Sequence, residues 1–134
     1  MAFHPYLYFS GQCREAFTAY HEIFGGDLII MSGHEAPPGT VPDEALDLTL
    51  HASLKVGETL LLASDTSVPE YAGMQGIFVH WVSDSVADAQ RIFAALMEGG
   101  EEYHSGEQFW TPWFGSGVDR WGVPWEISVY EGAA

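Results

Sequence analysis

The chain has 134 residues, of which 47% are hydrophobic and 17% are charged. A chain of this length with so many apolar residues can build a hydrophobic core, which excludes a disordered tail. Its 4 basic and 19 acidic residues give a formal net charge of −15. Nucleic acids and anionic membranes are therefore not expected as partners, because both carry negative phosphate groups.

The cysteine content and the N-terminal residues indicate which covalent or metal cross-links are absent and where in the cell the protein is expected. Cys13 is the single cysteine, so an internal disulfide and a cysteine zinc site are both excluded. Residues 1–5 contain no basic segment followed by an apolar one, and apolar runs are short: residues 60–63 form one of four residues, and the longest, residues 92–97, has six. These features predict a cytoplasmic protein without a signal peptide or a membrane span.

The first half of the sequence predicts the element order βαβββ. Aromatic residues near the N-terminus are typical of a strand, and the helical spacing of apolar residues that follows stops at two consecutive glycines. Residues 47–55 alternate between polar and apolar, which predicts a strand with His51 on its polar face. The predicted segments are, in order, a strand at 5–10, a helix at 13–24, and strands at 28–31, 47–55 and 59–63.

The same order begins again after a polar linker at about residues 67–75. Ser85, three residues before Asp88, resembles a capping box and marks the start of a second helix. The predicted segments are, in order, a strand at 77–82, a helix at 86–96, two weaker strands within 101–118, and a last strand at 125–130.

The two helix patterns indicate an internal repeat. They align at a constant offset of 73 residues, which pairs Ala16 with Ala89 and Tyr20 with Phe93. Because the order of elements also matches, we predict a duplicated βαβββ module and an α+β fold. The modules are expected at about 1–66 and 76–134, within one domain over residues 1–134.

A single βαβββ module covers one face of its sheet with its helix and leaves the other face bare. We therefore expect the two modules to face each other, so that a curled mixed sheet surrounds a cavity lined by both. Such a cavity is a favoured place for a ligand.

Short sequence strings link this pattern to a known family. They include Pro5-Tyr6-Leu7, Phe24-Gly25-Gly26, His51-Ala52-Ser53-Leu54, Ala63-Ser64-Asp65 and Asp119-Arg120-Trp121-Gly122-Val123-Pro124-Trp125. In this order and spacing they resemble the vicinal oxygen chelate superfamily, which includes glyoxalase I, fosfomycin and bleomycin resistance proteins, and extradiol dioxygenases. Within it the chain is most similar to the PhnB-like branch, often labelled 3-demethylubiquinone 3-methyltransferase-like. No glycine-rich loop of the SAM-binding type follows a strand, so methyl transfer is not expected.

The resemblance implies a divalent metal held by His and Glu from the first and last strands of the modules. One such position carries Glu126, four residues after Gly122. The corresponding first-strand positions carry Phe78 and Pro5, neither of which can bind a metal. Two ligand positions of the family are therefore lost.

Two histidines are expected to face the same cavity as Glu126, although not from the family's ligand positions. His51 and His80 could form with Glu126 a displaced site of two histidines and one carboxylate. Alternatively, all three are polar residues whose hydrogen bonds are satisfied by serines such as Ser64 and Ser128, or by water. We favour the second interpretation and predict no bound metal and no cofactor.

Tryptophans are concentrated in the last quarter of the chain. Trp110 and Trp113 flank Pro112, and they could form an aromatic wall for a ligand or pack in the core or at a dimer interface. Trp121 and Trp125 are expected to pack. The predicted cavity residues are His51, His80, Glu126, Phe78, Ser64, Trp110 and Trp113.

Two functions are compatible with these features. The first is a homodimeric protein that binds a small molecule in the inter-module cavity without a metal. The second is a metal-dependent lyase, isomerase or dioxygenase that acts on a substrate with vicinal oxygens. The superfamily contains both kinds of protein, and the sequence leaves the ligand and any catalytic residues open.

Overall fold

The computed structural model of the chain describes residues 1–66 and 71–130. The chain divides into two compact units, Met1–Gly73 and Met74–Ala134. Each unit holds one α-helix and one four-stranded mixed sheet in the order βαβββ, which confirms the predicted fold class. Residues 67–70 of the predicted linker lie outside the described residues.

The first unit matches the predicted segments closely. Its sheet has the strand order β1-β4-β3-β2, with β1 parallel to β4 and the other neighbours antiparallel. The Tyr71 hydroxyl, near the end of this unit, donates a hydrogen bond to the Tyr8 carbonyl of β1. The elements are β1 (Tyr6–Phe9), α1 (Cys13–Phe24), β2 (Asp27–Ser32), β3 (Thr49–Val56) and β4 (Thr59–Asp65).

Helix α1 covers one face of this sheet because its apolar stripe and the apolar side of the strands are both removed from water. Phe17 of α1 meets Phe9 of β1 edge-on, with ring centroids 6.2 Å apart. Burial of a side chain of this size contributes about 1.5–3 kcal/mol. The buried residues of this interface are Leu7, Phe9, Cys13, Ala16, Phe17, Tyr20, Ala52, Leu54 and Ala63.

The second unit repeats the arrangement. Its sheet has the strand order β5-β8-β7-β6, with β5 parallel to β8 and the remaining neighbours antiparallel. The predicted cap is confirmed, since the Asp88 backbone N–H donates to Ser85 Oγ at 3.1 Å. The elements are β5 (Val79–Ser83), α2 (Val86–Met97), β6 (Glu101–Gln108), β7 (Thr111–Val118) and β8 (Pro124–Val129).

The two strands that the sequence predicts only weakly, β6 and β7, have eight residues each. The glycines of β7 have a physical reason. A Cβ at Gly115 would lie 2.9 Å from the Phe93 ring of α2, and one at Gly117 would overlap Met97 and the Glu101 carbonyl. Glycines therefore allow α2 and β6 to approach β7 closely. Among the described residues, no helix is long and apolar enough to cross a membrane.

Candidate functional site

The second sheet has one face covered by α2 and one face without a helix. Phe93 of α2 packs against Trp113 of β7 with ring centroids 5.4 Å apart, so Trp113 marks the covered face. Side chains alternate along a strand and paired residues share a face. We call the opposite side the helix-free face; the strand residues that share it include His80, Val82, Phe114, Ser116, Glu126 and Ser128.

A polar trio lies at the centre of this face. His80 of β5 contacts Glu126 of β8, with Nδ1 and Oε1 3.0 Å apart, and its Nε2 lies 2.8 Å from Ser128 Oγ. The side chains of His80 and Glu126 are 39% and 33% exposed. Both residues were predicted to face one site, and the parallel register that pairs them is what brings them together.

The two hydrogen bonds of His80 fix the orientation of its ring. In the neutral form, Nδ1–H donates to the Glu126 carboxylate and the Ser128 hydroxyl donates to Nε2; the imidazolium donates to both partners. Ser128 is one of the serines expected to satisfy these polar residues, and it is the partner of His80. The arrangement resembles a carboxylate-oriented imidazole, which can exchange a proton with a ligand only if Ser128 rotates away.

Aromatic side chains continue the helix-free face beside the trio. Phe114 lies opposite Ser128 in the register of β7 and β8. Trp110 meets Phe114 at 4.9 Å between ring centroids, and His104 of β6 lies 6.3 Å from the same ring. Trp110 is 44% exposed. Polar groups and a partly exposed aromatic surface therefore adjoin each other, as is common in small-molecule sites.

The first sheet also has a helix-free face, and His51 lies on it. Its ring centroid is 6.1 Å from that of Tyr6, and Tyr6 lies 5.4 Å from Tyr8. Ile29 and Met31 of β2 are exposed on this sheet as well. This face is more apolar than that of the second unit.

The remaining predicted site residues occupy different environments. Phe78 precedes β5 and is 41% exposed, and Ser64 of β4 is buried in the first unit. Trp113 lies on the covered face against Phe93, where it packs in the core. Trp125 is buried as expected, and its indole N–H donates to Asp119 Oδ2 at 2.9 Å.

Phe114 was not among the predicted site residues, nor were Tyr6 and Tyr8. Alternation could have placed Phe114 on the face opposite Trp113, but Gly115 and Gly117 obscured the strand pattern. Tyr6 and Tyr8 could have been found from their alternation with the buried Leu7 and Phe9.

A metal ion would need more donors than the trio supplies. Catalytic divalent ions are usually held by three protein ligands. Within residues 1–66 and 71–130, no three His, Cys, Asp or Glu side chains lie close enough together to hold one ion. His80 and Glu126 supply two donors, so the fit to a family-type metal site is incomplete.

Cys13 is not a reactive group. Its side chain is fully buried at the start of α1. Burial, together with the negative charge of Asp65, raises the pKa of the Cys13 thiol to about 12. The thiol is therefore protonated at neutral pH and acts as a small core residue.

Comparisons with known proteins agree with this architecture. The chain is 29% identical to Protein YjdN of Escherichia coli K12, over 96% of this chain and 95% of that protein. It is 39% identical to the crystal structure of protein PA1353 from Pseudomonas aeruginosa, with a TM-score of 0.88 over 96% of this chain and 97% of that one.

A more distant structure shows the fold alone. The fosfomycin resistance protein FosX from Mesorhizobium loti is 7% identical, with a TM-score of 0.63 over 99% of this chain and 94% of that one. The family model described as 3-demethylubiquinone-9 3-methyltransferase matches residues 1–128. The chain therefore belongs to this PhnB-like family, which has the glyoxalase and bleomycin resistance fold.

Proposed function

We propose that the protein binds a small organic molecule at the helix-free face of its second sheet. The observation that supports this most directly is the His80 trio, which is held in one orientation, is partly exposed, and adjoins Trp110 and Phe114. Oriented polar groups beside exposed aromatic rings supply both direction and apolar contact for a ligand. Methyl transfer is not proposed, although the family model is named for it, because the sequence has no glycine-rich loop of the SAM-binding type after a strand.

A ligand screen tests this proposal. A metabolite panel is added to the full-length protein without metal, and hits are taken from the shift in melting temperature. We expect His80→Ala and Phe114→Ala to weaken any hit about tenfold or more, because they remove the oriented group or the apolar wall.

The matched control for this screen is His34→Ala. His34 also contacts a carboxylate, that of Asp47 at 2.7 Å, but it lies in the first unit outside either helix-free face. Its removal should leave the affinity unchanged. A hit that is weakened equally by all three substitutions, or a panel without hits, would contradict the proposal.

A metal-dependent lyase, isomerase or dioxygenase is the second candidate. It is supported by the adjacent imidazole and carboxylate of His80 and Glu126, which are both common metal ligands. Calorimetric titration with Ni²⁺, Zn²⁺, Mn²⁺ and Fe²⁺ tests it, with Glu126→Gln as the variant. Stoichiometric binding that this variant abolishes would support the enzyme; absence of binding by all four ions would remove it.

We also propose a cytoplasmic homodimer. The exposed apolar side chains Ile29, Met31, Tyr6 and Tyr8 of the first sheet support an apolar association surface. Light scattering measured as the protein elutes from a size-exclusion column should give twice the chain mass of 14.7 kDa. A mass equal to one chain at micromolar concentration would contradict the dimer.

A further inference from the structure

The helix-free face of the second sheet carries the Glu126 carboxylate and the imidazoles of His80 and His104, but no arginine or lysine of this unit. Arg91 and Arg120 are the arginines of the second unit, which has no lysine, and both are engaged elsewhere. Arg91 pairs with Asp88 on α2 at 3.0 Å. Arg120 lies 3.8 Å over the Trp121 ring and donates to the Glu98 carbonyl at 3.1 Å. A ligand on this face therefore meets the carboxylate of Glu126 and no guanidinium or ammonium group of the second unit.

Glu126 has an oxygen available for such a ligand. Oε1 accepts from the His80 ring, whereas Oε2 accepts no hydrogen bond from any other described residue. The side chain is 33% exposed, so the charge is partly removed from water but still accessible. At reduced solvent screening, a carboxylate attracts a cation and repels an anion more strongly than it does in bulk water.

The aromatic rings add a second attraction for a cation. Trp110 and Phe114 form an edge-to-face pair on this face, and the Trp110 side chain is 44% exposed. The π face of an aromatic ring attracts a cation, most strongly for tryptophan. Phe114 is opposite Ser128, and Ser128 contacts His80, so the rings and the carboxylate belong to one continuous row.

We infer that the molecule bound on this face is an organic cation, with an apolar body against Trp110 and Phe114 and an ammonium group directed to Glu126. This inference rests on the proposed function and specifies the chemical class of its ligand. Phosphates, phosphonates and carboxylates are disfavoured, since no arginine or lysine of the unit faces them. The net charge of −15 also raises the local concentration of cations at the surface.

Three soluble probes of similar size test the charge preference: benzyltrimethylammonium, benzyl alcohol and phenylphosphonate. Binding to the full-length protein is followed by NMR through the indole N–H of Trp110, which reports on the site itself. We expect the cation to bind about tenfold more tightly than the alcohol and the phosphonate to bind most weakly.

Variants separate the two attractions. Glu126→Gln should remove most of the cation's advantage over benzyl alcohol while leaving the affinity for the alcohol unchanged. Trp110→Ala should weaken both probes; because this variant lacks the reporter indole, its affinities are measured by calorimetry and compared with those of the parent protein by the same method. Glu58→Gln is the matched charge control, because Glu58 is exposed in the turn between β3 and β4 of the first unit. It removes one negative charge, as Glu126→Gln does, and should not alter the affinity for the cation.

The outcomes distinguish this inference from the proposed function. If benzyl alcohol or phenylphosphonate binds at Trp110 as tightly as the cation, or if Glu58→Gln acts like Glu126→Gln, the charge preference is overturned and the binding site stands. If no probe shifts the Trp110 resonance at millimolar concentration, both the inference and the small-molecule site on this face are rejected.

Discussion

Two aspartates, one in each unit, each accept hydrogen bonds from several backbone N–H groups. Asp65 at the end of β4 accepts from the backbone N–H groups of Gly11 and Cys13 at 3.0 Å and of Thr49 at 2.8 Å. Helix α1 has no side-chain cap at Gln12, so Asp65 takes that role from another part of the chain. Asp119 in the second unit acts locally, since it accepts from the N–H groups of Trp121 and Val123 in the loop that follows it.

Replacement of Asp65 should therefore be costly. In Asp65→Ala, three N–H groups lose their acceptor and the start of α1 loses a favourable negative charge. We expect the free energy of unfolding to fall by about 2–4 kcal/mol, measured by urea denaturation. Asp47→Ala is the control, because the Asp47 side chain is 95% exposed, and it should change stability by less than about 0.5 kcal/mol. Equal effects of the two substitutions would contradict this role of Asp65.

The Cys13 thiol gives a prediction about alkaline pH. Its pKa is raised from 9.0 to about 12 in the folded protein, mainly by burial. The unfolded thiol thus ionises first, and folding should weaken progressively as the pH rises from about 9 toward 12. We expect Cys13→Ala to lose less stability than the native chain between pH 8 and 10.5, as measured by urea denaturation.

A second measurement of Cys13 uses its reactivity. In the folded protein at pH 8, a thiol reagent such as iodoacetamide should leave Cys13 unmodified, since the thiol is buried and protonated. Denaturant should expose it to stoichiometric reaction. Rapid modification of the folded protein would show that the thiol is accessible, contrary to its burial.

Placement of the polar site residues was predictable because the side-chain period of a strand is two. His80 and Glu126 were expected to face the same way, and the register of β5 and β8 pairs them. The partners of each group were not predictable, because alternation does not give distances. Trp113 differs from Trp110 because Trp110 lies in the turn between β6 and β7, where the alternation on which such inferences depend is interrupted, whereas Trp113 lies in β7.

At the level of elements, the two helices are recognised by their apolar stripes. The packing of β7 depends instead on two glycines that have no side chain. Gly115 and Gly117 lie under α2 and beside β6, where a Cβ would overlap neighbouring atoms. Glycine usually weakens a strand pattern in a sequence. The same residues that permit close packing therefore made β6 and β7 the least certain strands to predict.

Gly117→Ala should destabilise the second unit. The added methyl group would overlap Met97 Sδ of α2 and the Glu101 carbonyl of β6, and the backbone neighbour cannot turn away as a side chain can. Overpacking of this kind costs about 1–3 kcal/mol. Ser116→Ala on the adjacent, partly exposed position is the control and should stay within about 0.5 kcal/mol of the parent. Thermal unfolding of both variants checks this, and an unchanged midpoint for Gly117→Ala would show that the packing is looser than described.

At the scale of the molecule, the duplicated sequence pattern corresponds to two units of the same construction. Each places its helix on one face of the sheet and leaves an apolar or polar-aromatic face without a helix. The two faces differ in chemistry, since His51, Tyr6 and Tyr8 lie on one and the His80 trio on the other. Duplication was therefore readable from the sequence, whereas the different chemistry of the two faces needed the register of each sheet.

The net charge of −15 predicts that salt stabilises this protein. Like charges spread over a chain of 134 residues repel one another in the compact state, and salt screens this repulsion, with a Debye length of about 10 Å at 0.1 M. We expect the melting temperature to rise by several degrees between about 0.01 and 0.5 M NaCl. KCl should act equally if the effect is screening, whereas a difference between the two salts would indicate specific cation binding. A melting temperature that is constant or falls with either salt would show that the attraction between opposite charges, such as Arg91 and Asp88, outweighs the repulsion among the acids.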